Sequence, residues 1–237
     1  RTMSARHNGM TDTPPRVKYI IEMMNKLKIP HEHKKWIGNI NTFHNIYAKG
    51  TSEILFTAHH DITGNSAGAN DNSASVINLI ALKKLLPNAN IALIDGEEIG
   101  GKGSEHLAKT FQNEFPHVKH IVNLELTGLG GKYFFIGKTE KPQKITEIIQ
   151  SAPQFKGLKP VPEIDVPFND SVVFREYGID SVVINALPPL INDEYIYYYP
   201  RGDIQFCDGT KLDMSIIGLC NGKLDTIDTI STKDMKE

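Results

Sequence analysis

The sequence predicts an α/β sandwich with a largely parallel central sheet. Two observations predict it: short runs rich in Val, Ile and Leu alternate with segments of helical period, and chemically active polar residues gather just after those short runs. The alternation opens at Pro14 and Pro15, where a helix start tolerates a missing N–H, and Val17, Ile20, Ile21, Met24 and Leu27 then share one helical face. Residues 53–59 (EILFTAH) read as a buried strand. Residues 73–86 follow as a helix with Val76, Ile77, Leu79, Ile80 and Leu82 on its buried side, stopped by Pro87. A second strand at 90–95 (NIALID) leads to a helix opening over 104–111, and a third strand follows at 120–126 (HIVNLEL). Helices are expected at 141–151 and 170–177, with a further strand at 180–186 (DSVVINA). Neither an internal repeat nor a low-complexity linker divides the chain, so 14–237 is expected to form one domain behind a tail at 1–13 that shows no period.

Composition narrows the function classes without choosing one. At roughly 150 residues per domain, 237 residues make one large domain with core enough to need no disulfide. A net charge of -2, from 26 Lys+Arg against 28 Asp+Glu, provides no basic field for nucleic acid. No apolar run approaches the roughly 18 residues of a membrane span. Cys207 and Cys220 are not in a C-x-x-C pair and read as ordinary thiols. No signal-peptide pattern opens the chain, and the expectation is a soluble protein, cytoplasmic or exported with its signal already removed.

In open α/β sheets, chemistry collects at the carboxyl ends of the strands. Here the first buried strand ends in His59-His60-Asp61, the second in Asp95-Gly96-Glu97-Glu98, and the third carries Glu125 near its end. Gly68-Ala69-Asn70-Asp71-Asn72 lies immediately before a helix. Each segment alone has an ordinary reading: a packed histidine, a solvated turn, a helix capped by Asn72 or Ser73. Jointly the ordinary readings weaken, because several carboxylates at one end of a sheet cost several kcal/mol in repulsion unless a cation neutralises them. A His, Asp and Glu donor set suits zinc, with cobalt or manganese as alternatives.

Ala58-His59-His60-Asp61, Gly68-Ala69-Asn70-Asp71-Asn72-Ser73-Ala74-Ser75 and Gly96-Glu97-Glu98-Ile99-Gly100, in this order and spacing, resemble the co-catalytic zinc aminopeptidases of metallopeptidase family 28. That family includes bacterial leucyl-type aminopeptidases and single-zinc glutaminyl cyclases. Asn169-Asp170-Ser171 is similar to a later family segment that usually reads Ser-Asp-His. The resemblance implies a phosphorylase/hydrolase-like three-layer sandwich with a mixed, largely parallel sheet of about eight strands. It implies that His59 binds a first metal with Asp61 orienting its ring, that Asp71 bridges two metals and precedes a cis peptide bond, and that Glu98 binds the second metal. Glu97 is implied as general base. Glu125, where most family aminopeptidases have Asp, is implied as a first-metal ligand. Tyr198 and Tyr199, within the run from Tyr195, are implied at the substrate side-chain pocket.

The resemblance implies Asn221, before Asp225-Thr226, at the position of the family's last His ligand; the alternative register, with Tyr199 four before Asp203, lacks the following Thr. An amide oxygen is a poor zinc ligand beside imidazole, so of two expected zinc sites the second is expected to be weak or empty. The resemblance implies hydrolysis of the N-terminal peptide bond of a peptide with a free amino terminus, by a zinc-activated water with Glu97 taking its proton. Two alternatives share the fold: a single-zinc glutaminyl cyclase-like reaction, and a non-catalytic metal- or peptide-binding relative. A nucleotide-binding reading of Gly96–Gly103 as G-x-x-x-x-G-K is disfavoured, because position 103 lacks a hydroxyl and two glutamates in the loop would repel phosphate. His31 and His33 read as solvated loop histidines, and Arg201-Gly202-Asp203 as a chance tripeptide.

Overall fold

The computed structural model describes residues 13–38, 41–64, 66–128, 133–138, 143–153, 159–162, 168–187 and 225–230. Within them, alternate residues of one strand serve opposite layers. In β4 (Asn90–Ile94), Ile91 and Leu93 pack toward α1 (Pro15–Lys26) and α2 (Ala74–Leu85). Ala92 and Ile94 pack toward α3 (Lys102–Glu114) and Phe174 of α5 (Asp170–Glu176). A strand buried on both faces has to be apolar throughout, which is why NIALID carries no alternation. Ile145 and Ile149 of α4 (Lys144–Ser151) cover Val122 and Val182 in a third cluster, joined to the first through Phe56 and Leu124. The sheet is therefore sandwiched, with α1, α2 and α4 on one face and α3 and α5 on the other.

The remaining strands are β1 (Glu32–Ile37), β2 (Thr42–Ala48), β3 (Ile54–His59), β5 (His120–Glu125), β6 (Tyr133–Lys138), β7 (Lys159–Pro162) and β8 (Asp180–Leu187). Their order across the sheet is β1-β2-β4-β3-β5-β8-β6-β7. The central β4, β3, β5 and β8 are mutually parallel, β2, β6 and β7 run against them, and β1, antiparallel to β2, runs with them. This is the α/β sandwich that the alternation of strands and helices predicts.

The β1–β2 hairpin and β6–β7 are absent from the sequence reading. β1 is an edge strand whose residues are mostly exposed, and β2 buries His44 and Asn45, so neither shows a clean hydrophobic period. His33 is consequently not a loop histidine: it lies in β1 with its Nε2 2.9 Å from His44 Nδ1. Helix α2 starts at Ala74 without a side-chain cap, which corrects the expected capping by Asn72 or Ser73. The Asn72 side chain bonds the end of β5 instead, and the Ser73 hydroxyl bonds Gly68 and Arg16.

Two features aim the strand ends. Thr57 pairs with Asn123 and His59 with Ile94, so the register sets His59 level with Glu125 on the neighbouring strand and brings Glu97 three residues beyond β4. Strands about 4.8 Å apart then present those side chains to one space. The loop after β4 is tied down by Asn45, whose amide donates to the Gly103 carbonyl while its Oδ1 accepts from Asp95 N. Gly103 has no room for a side chain: a Cβ there would lie 2.2 Å from the Asp95 carbonyl oxygen and 2.5 Å from Ile94 Cγ2. We expect Gly103→Ala to push α3 off the sheet and cost about 1–3 kcal/mol in urea unfolding, the range for overpacking. A loss below about 0.5 kcal/mol, that of an ordinary surface change, would contradict the close approach.

Candidate metal centre

His59 closes β3 with no exposed surface, and its ring is addressed from both sides. Its Nε2 lies 3.0 Å from Asp71 Oδ1, 3.0 Å from Glu125 Oε1 and 4.0 Å from Glu97 Oε2. Its Nδ1 faces Asp61 Oδ1 at 3.3 Å. The donor atoms of His59, Asp71 and Glu125 all lie within 4.8 Å of one another, as do those of His59, Glu97 and Glu98. Six of the sequence-derived site residues, His59, Asp61, Asp71, Glu97, Glu98 and Glu125, are thus brought together. Asn221, Tyr198 and Tyr199 lie outside the described residues, as do Cys207, Cys220 and most of the expected tail.

Asp61 does more than face the histidine. Its two carboxylate oxygens accept from the backbone N–H groups of Glu97 and Glu98, each at 3.1 Å. One side chain therefore both faces the ring of His59 and holds the turn that aims the two glutamates. Two N–H groups of the Gly96–Gly103 loop are thus already taken by a carboxylate, which further disfavours a nucleotide cradle.

The loop bearing Asp71 is irregular. Asp71 (φ -109°, ψ 87°) and Asn72 (φ -136°, ψ 35°) depart from helical geometry, and the peptide bond between them is cis. Asn72 donates to the Leu124 carbonyl and accepts from Leu126 N, tying the loop to the end of β5. Asp225, from a segment 155 residues downstream, accepts from Asn70 N and from the Ser66 hydroxyl. Thr57 of β3 donates to Asn123 Oδ1 on β5, and Asn123 in turn donates to Glu125 Oε2 at 3.4 Å. The longer side chain of Glu125, in place of the family's Asp, has a neighbour of its own to orient it.

The charges interact strongly. Burial alone would lower the His59 pKa, but the Glu125 charge and hydrogen bonds to Asp61, Asp71 and Glu125 outweigh it and hold the ring well above the usual imidazole value. Burial pushes Glu97 well above the carboxylate range, with Glu125, Asp170 and Asp61 adding to the rise against the pull of His59. Burial and the Asp71 charge raise Glu98 to about 8, and burial raises Glu125 to about 7. Asp61 goes the other way: burial opposes it, yet the hydrogen bond and charge of His59 keep it below its ordinary value.

Asp170 belongs to this cluster, although sequence reasoning gave it no role. Its carboxylate is fully buried, and burial lifts its pKa to about 6 against the charge of His59 and a hydrogen bond with Ser104. Arg16 is the other omission, half-buried at the start of α1 and under the charges of Asp61, Asp225 and Asp71. Its place after two prolines offers no signal, since such arginines usually lie in solvent.

A divalent ion fits this donor set. One imidazole nitrogen with converging carboxylate oxygens is a borderline-hard N/O environment suited to zinc, and Glu98 Oε1 is a buried acceptor with no partner among the described residues. Among the described residues no helix is long and apolar enough to cross a membrane.

Comparison with known proteins agrees with this architecture. The sequence profile of Peptidase family M28 matches residues 41–216, and the chain belongs to that family. No curated protein sequence matches it. The fold is similar to that of the Legionella pneumophila LapA aminopeptidase, with a TM-score of 0.64 and 13% identity over 92% of this chain and 59% of that one. It is also similar to the Aneurinibacillus sp. strain AM-1 aminopeptidase (TM-score 0.59, 18% identity, 82% of this chain and 45% of that one). For the Porphyromonas gingivalis glutaminyl cyclase the TM-score is 0.62 and the identity 17%, over 95% of this chain and 86% of that one. At these identities the likeness is one of fold. The chain spans under two thirds of the two aminopeptidases but most of the cyclase.

The raised proton affinities have a consequence for stability. Glu98, Glu125 and His59 keep protons in the folded state at pH values where the unfolded chain has lost them, so stability falls as pH rises through that range. His44 and His60, which burial pushes down to about 4, act in the opposite sense only below their ordinary value of 6.5. Between pH 6.5 and pH 8 the metal-free protein is therefore expected to lose Tm, and saturating zinc to remove most of that slope. A flat metal-free Tm across this window, by scanning calorimetry, would contradict the assignment of charges.

Proposed function

We propose that the chain is a metal-dependent aminopeptidase, hydrolysing the N-terminal peptide bond of a substrate with a free amino group. The observation that carries the reading is the convergence of Asp71 and Glu125 on His59 Nε2, with Glu97 4.0 Å away, at the carboxyl end of a parallel sheet. His59, Asp71 and Glu125 would hold a first zinc, and Asp71 and Glu98 would begin a second site. That second site is weak or empty if Asn221 stands in the place of the family's last histidine. Zinc bound here would supply a Lewis acid for the scissile carbonyl and lower the pKa of a bound water.

The chain's own residues carry the proton. Glu97 is a suitable base because its carboxylate is buried beside other acids and so gains proton affinity once ionised. Its backbone is held by Asp61, which leaves the side chain free to take a proton from water and return it to the leaving amine. Surplus negative charge around the site favours a cationic substrate terminus, which accounts for exopeptidase action. Tyr198 and Tyr199 are assigned to the substrate side-chain pocket on the family resemblance.

One observation favours a second reading. The chain covers 86% of the P. gingivalis glutaminyl cyclase against 59% of LapA, so a cyclase-like reaction on N-terminal glutamine fits its span. Against it stands the ligand position at 221, on which that reaction's single zinc depends by family resemblance. Assays of N-terminal glutamine cyclisation and of aminoacyl-amide hydrolysis on the same preparation separate the two.

Glu97→Gln is expected to bind zinc as the wild type does while losing about 10²–10⁴-fold in turnover, the size of a lost general base. Retained turnover in that variant would remove Glu97 from the mechanism. Asn221→His is expected to raise bound zinc from about one to about two ions per chain, read by metal analysis, since imidazole completes a tetrahedral site.

A further inference from the structure

The loop from Gly68 to Ser73 carries Asp71 into the centre, and its two ends are bridged from outside. Arg16 Nη2 donates to the Gly68 carbonyl oxygen at 3.3 Å and to Ser73 Oγ at 2.5 Å. The Gly68 oxygen also accepts from Ser73 N and from the Ser73 hydroxyl, so three donors converge on one carbonyl. Gly68 has φ +67°, and a Cβ there would meet Ile62 Cγ2 at 2.1 Å, so the loop start has one available shape. The other ties run from Asp225 to Asn70 N and, through Ser66, to Gly68 N, from Asn72 to the end of β5, and from the Gly128 N–H to Asn70 Oδ1. Arg16 alone of these comes from α1, which precedes the family-matched residues 41–216.

We propose that Arg16 is a positioning residue of the metal centre: from the first turn of α1 its guanidinium staples the two ends of the 68–73 loop and so holds Asp71 in ligating position. The inference rests on the metal-dependent reading of the site. A guanidinium suits the task because it is planar, permanently charged and presents several donors in fixed directions. Its Nη2 is directed at neutral oxygens, while Asp61, Asp225 and Asp71 attract the charge through space. That attraction offsets part of the cost of half-burying a cation, which burial still outweighs, and it returns positive charge to a site rich in carboxylates. Helix α1 is itself anchored independently, through Val17, Ile20 and Met24 in the core shared with α2. Its hydrophobic anchorage and its contact with the loop can therefore be separated experimentally.

The test compares Arg16→Met and Arg16→Lys with Met24→Ala, which weakens the same helix through the core. Amide hydrogen exchange of peptides spanning 68–75 is followed in the metal-free chain, and zinc Kd is measured by competition with a chelating dye. Arg16→Met is expected to raise exchange locally and weaken zinc about tenfold or more, as loss of a group supporting a ligand does. Arg16→Lys, which keeps the charge but not the fork, is expected to fall between. Met24→Ala is expected to lower Tm while leaving local exchange and zinc Kd near wild type. Unchanged or tighter zinc binding in both Arg16 variants, or an equal rise in local exchange in Met24→Ala, overturns the proposal. If the wild-type chain takes up no zinc, the hydrolase reading falls, and the exchange comparison alone decides whether Arg16 holds the loop.

Discussion

Burying several carboxylates around one imidazole is the constraint on which the rest of this molecule depends. Asp71, Glu97, Glu125 and Asp170 have little or no contact with solvent, and like charges at such distances repel unless they are protonated or met by a cation. His59 is the shared partner, and the raised proton affinities of Glu97, Glu98 and Glu125 are the response of acids that lack enough positive charge. A divalent ion relieves the same imbalance without protonation, which is why a metal centre and a strained proton balance are two descriptions of one site.

The scaffold's part is to make this unfavourable cluster unavoidable. Parallel strands in fixed register bring His59 and Glu125 level, and two apolar layers make that register costly to change. Asp61 then ties the histidine ring and the Glu97–Glu98 turn to a single carboxylate. The end of β5, Asp225 and Arg16 hold the Asp71 loop from three separate parts of the chain. Each support comes from a part of the chain distant in sequence, so the site coheres only when the whole sandwich has formed.

The sequence made some of this legible and concealed the rest for identifiable reasons. NIALID and HIVNLEL are apolar on both faces and stand out as buried strands, and the histidine and acids at their ends follow from their position. The β1–β2 hairpin was hidden because β1 is a polar edge strand and β2 buries His44 and Asn45, which break any hydrophobic period. Asn72 and Ser73 looked like helix caps because local rules assign Asn and Ser before a helix to capping, whereas tertiary neighbours claimed both side chains. Asp170 and Arg16 carried no local signal, since burial, which gives both their significance, is not a local property.

What the sequence determined by itself is the alternation of the central strands with helices, the layered fold class and the chemical identity of the donors: a histidine and acids placed after buried strands, in the pattern of Peptidase family M28. Tertiary structure alone decided which atoms face one another. It set His59 Nε2 toward Asp71 and Glu125, directed Asp61 toward two backbone N–H groups, and brought Arg16 across to the Asp71 loop. The physical reason is that donor type is a property of each residue, whereas convergence depends on strand register and on contacts between segments up to 159 residues apart.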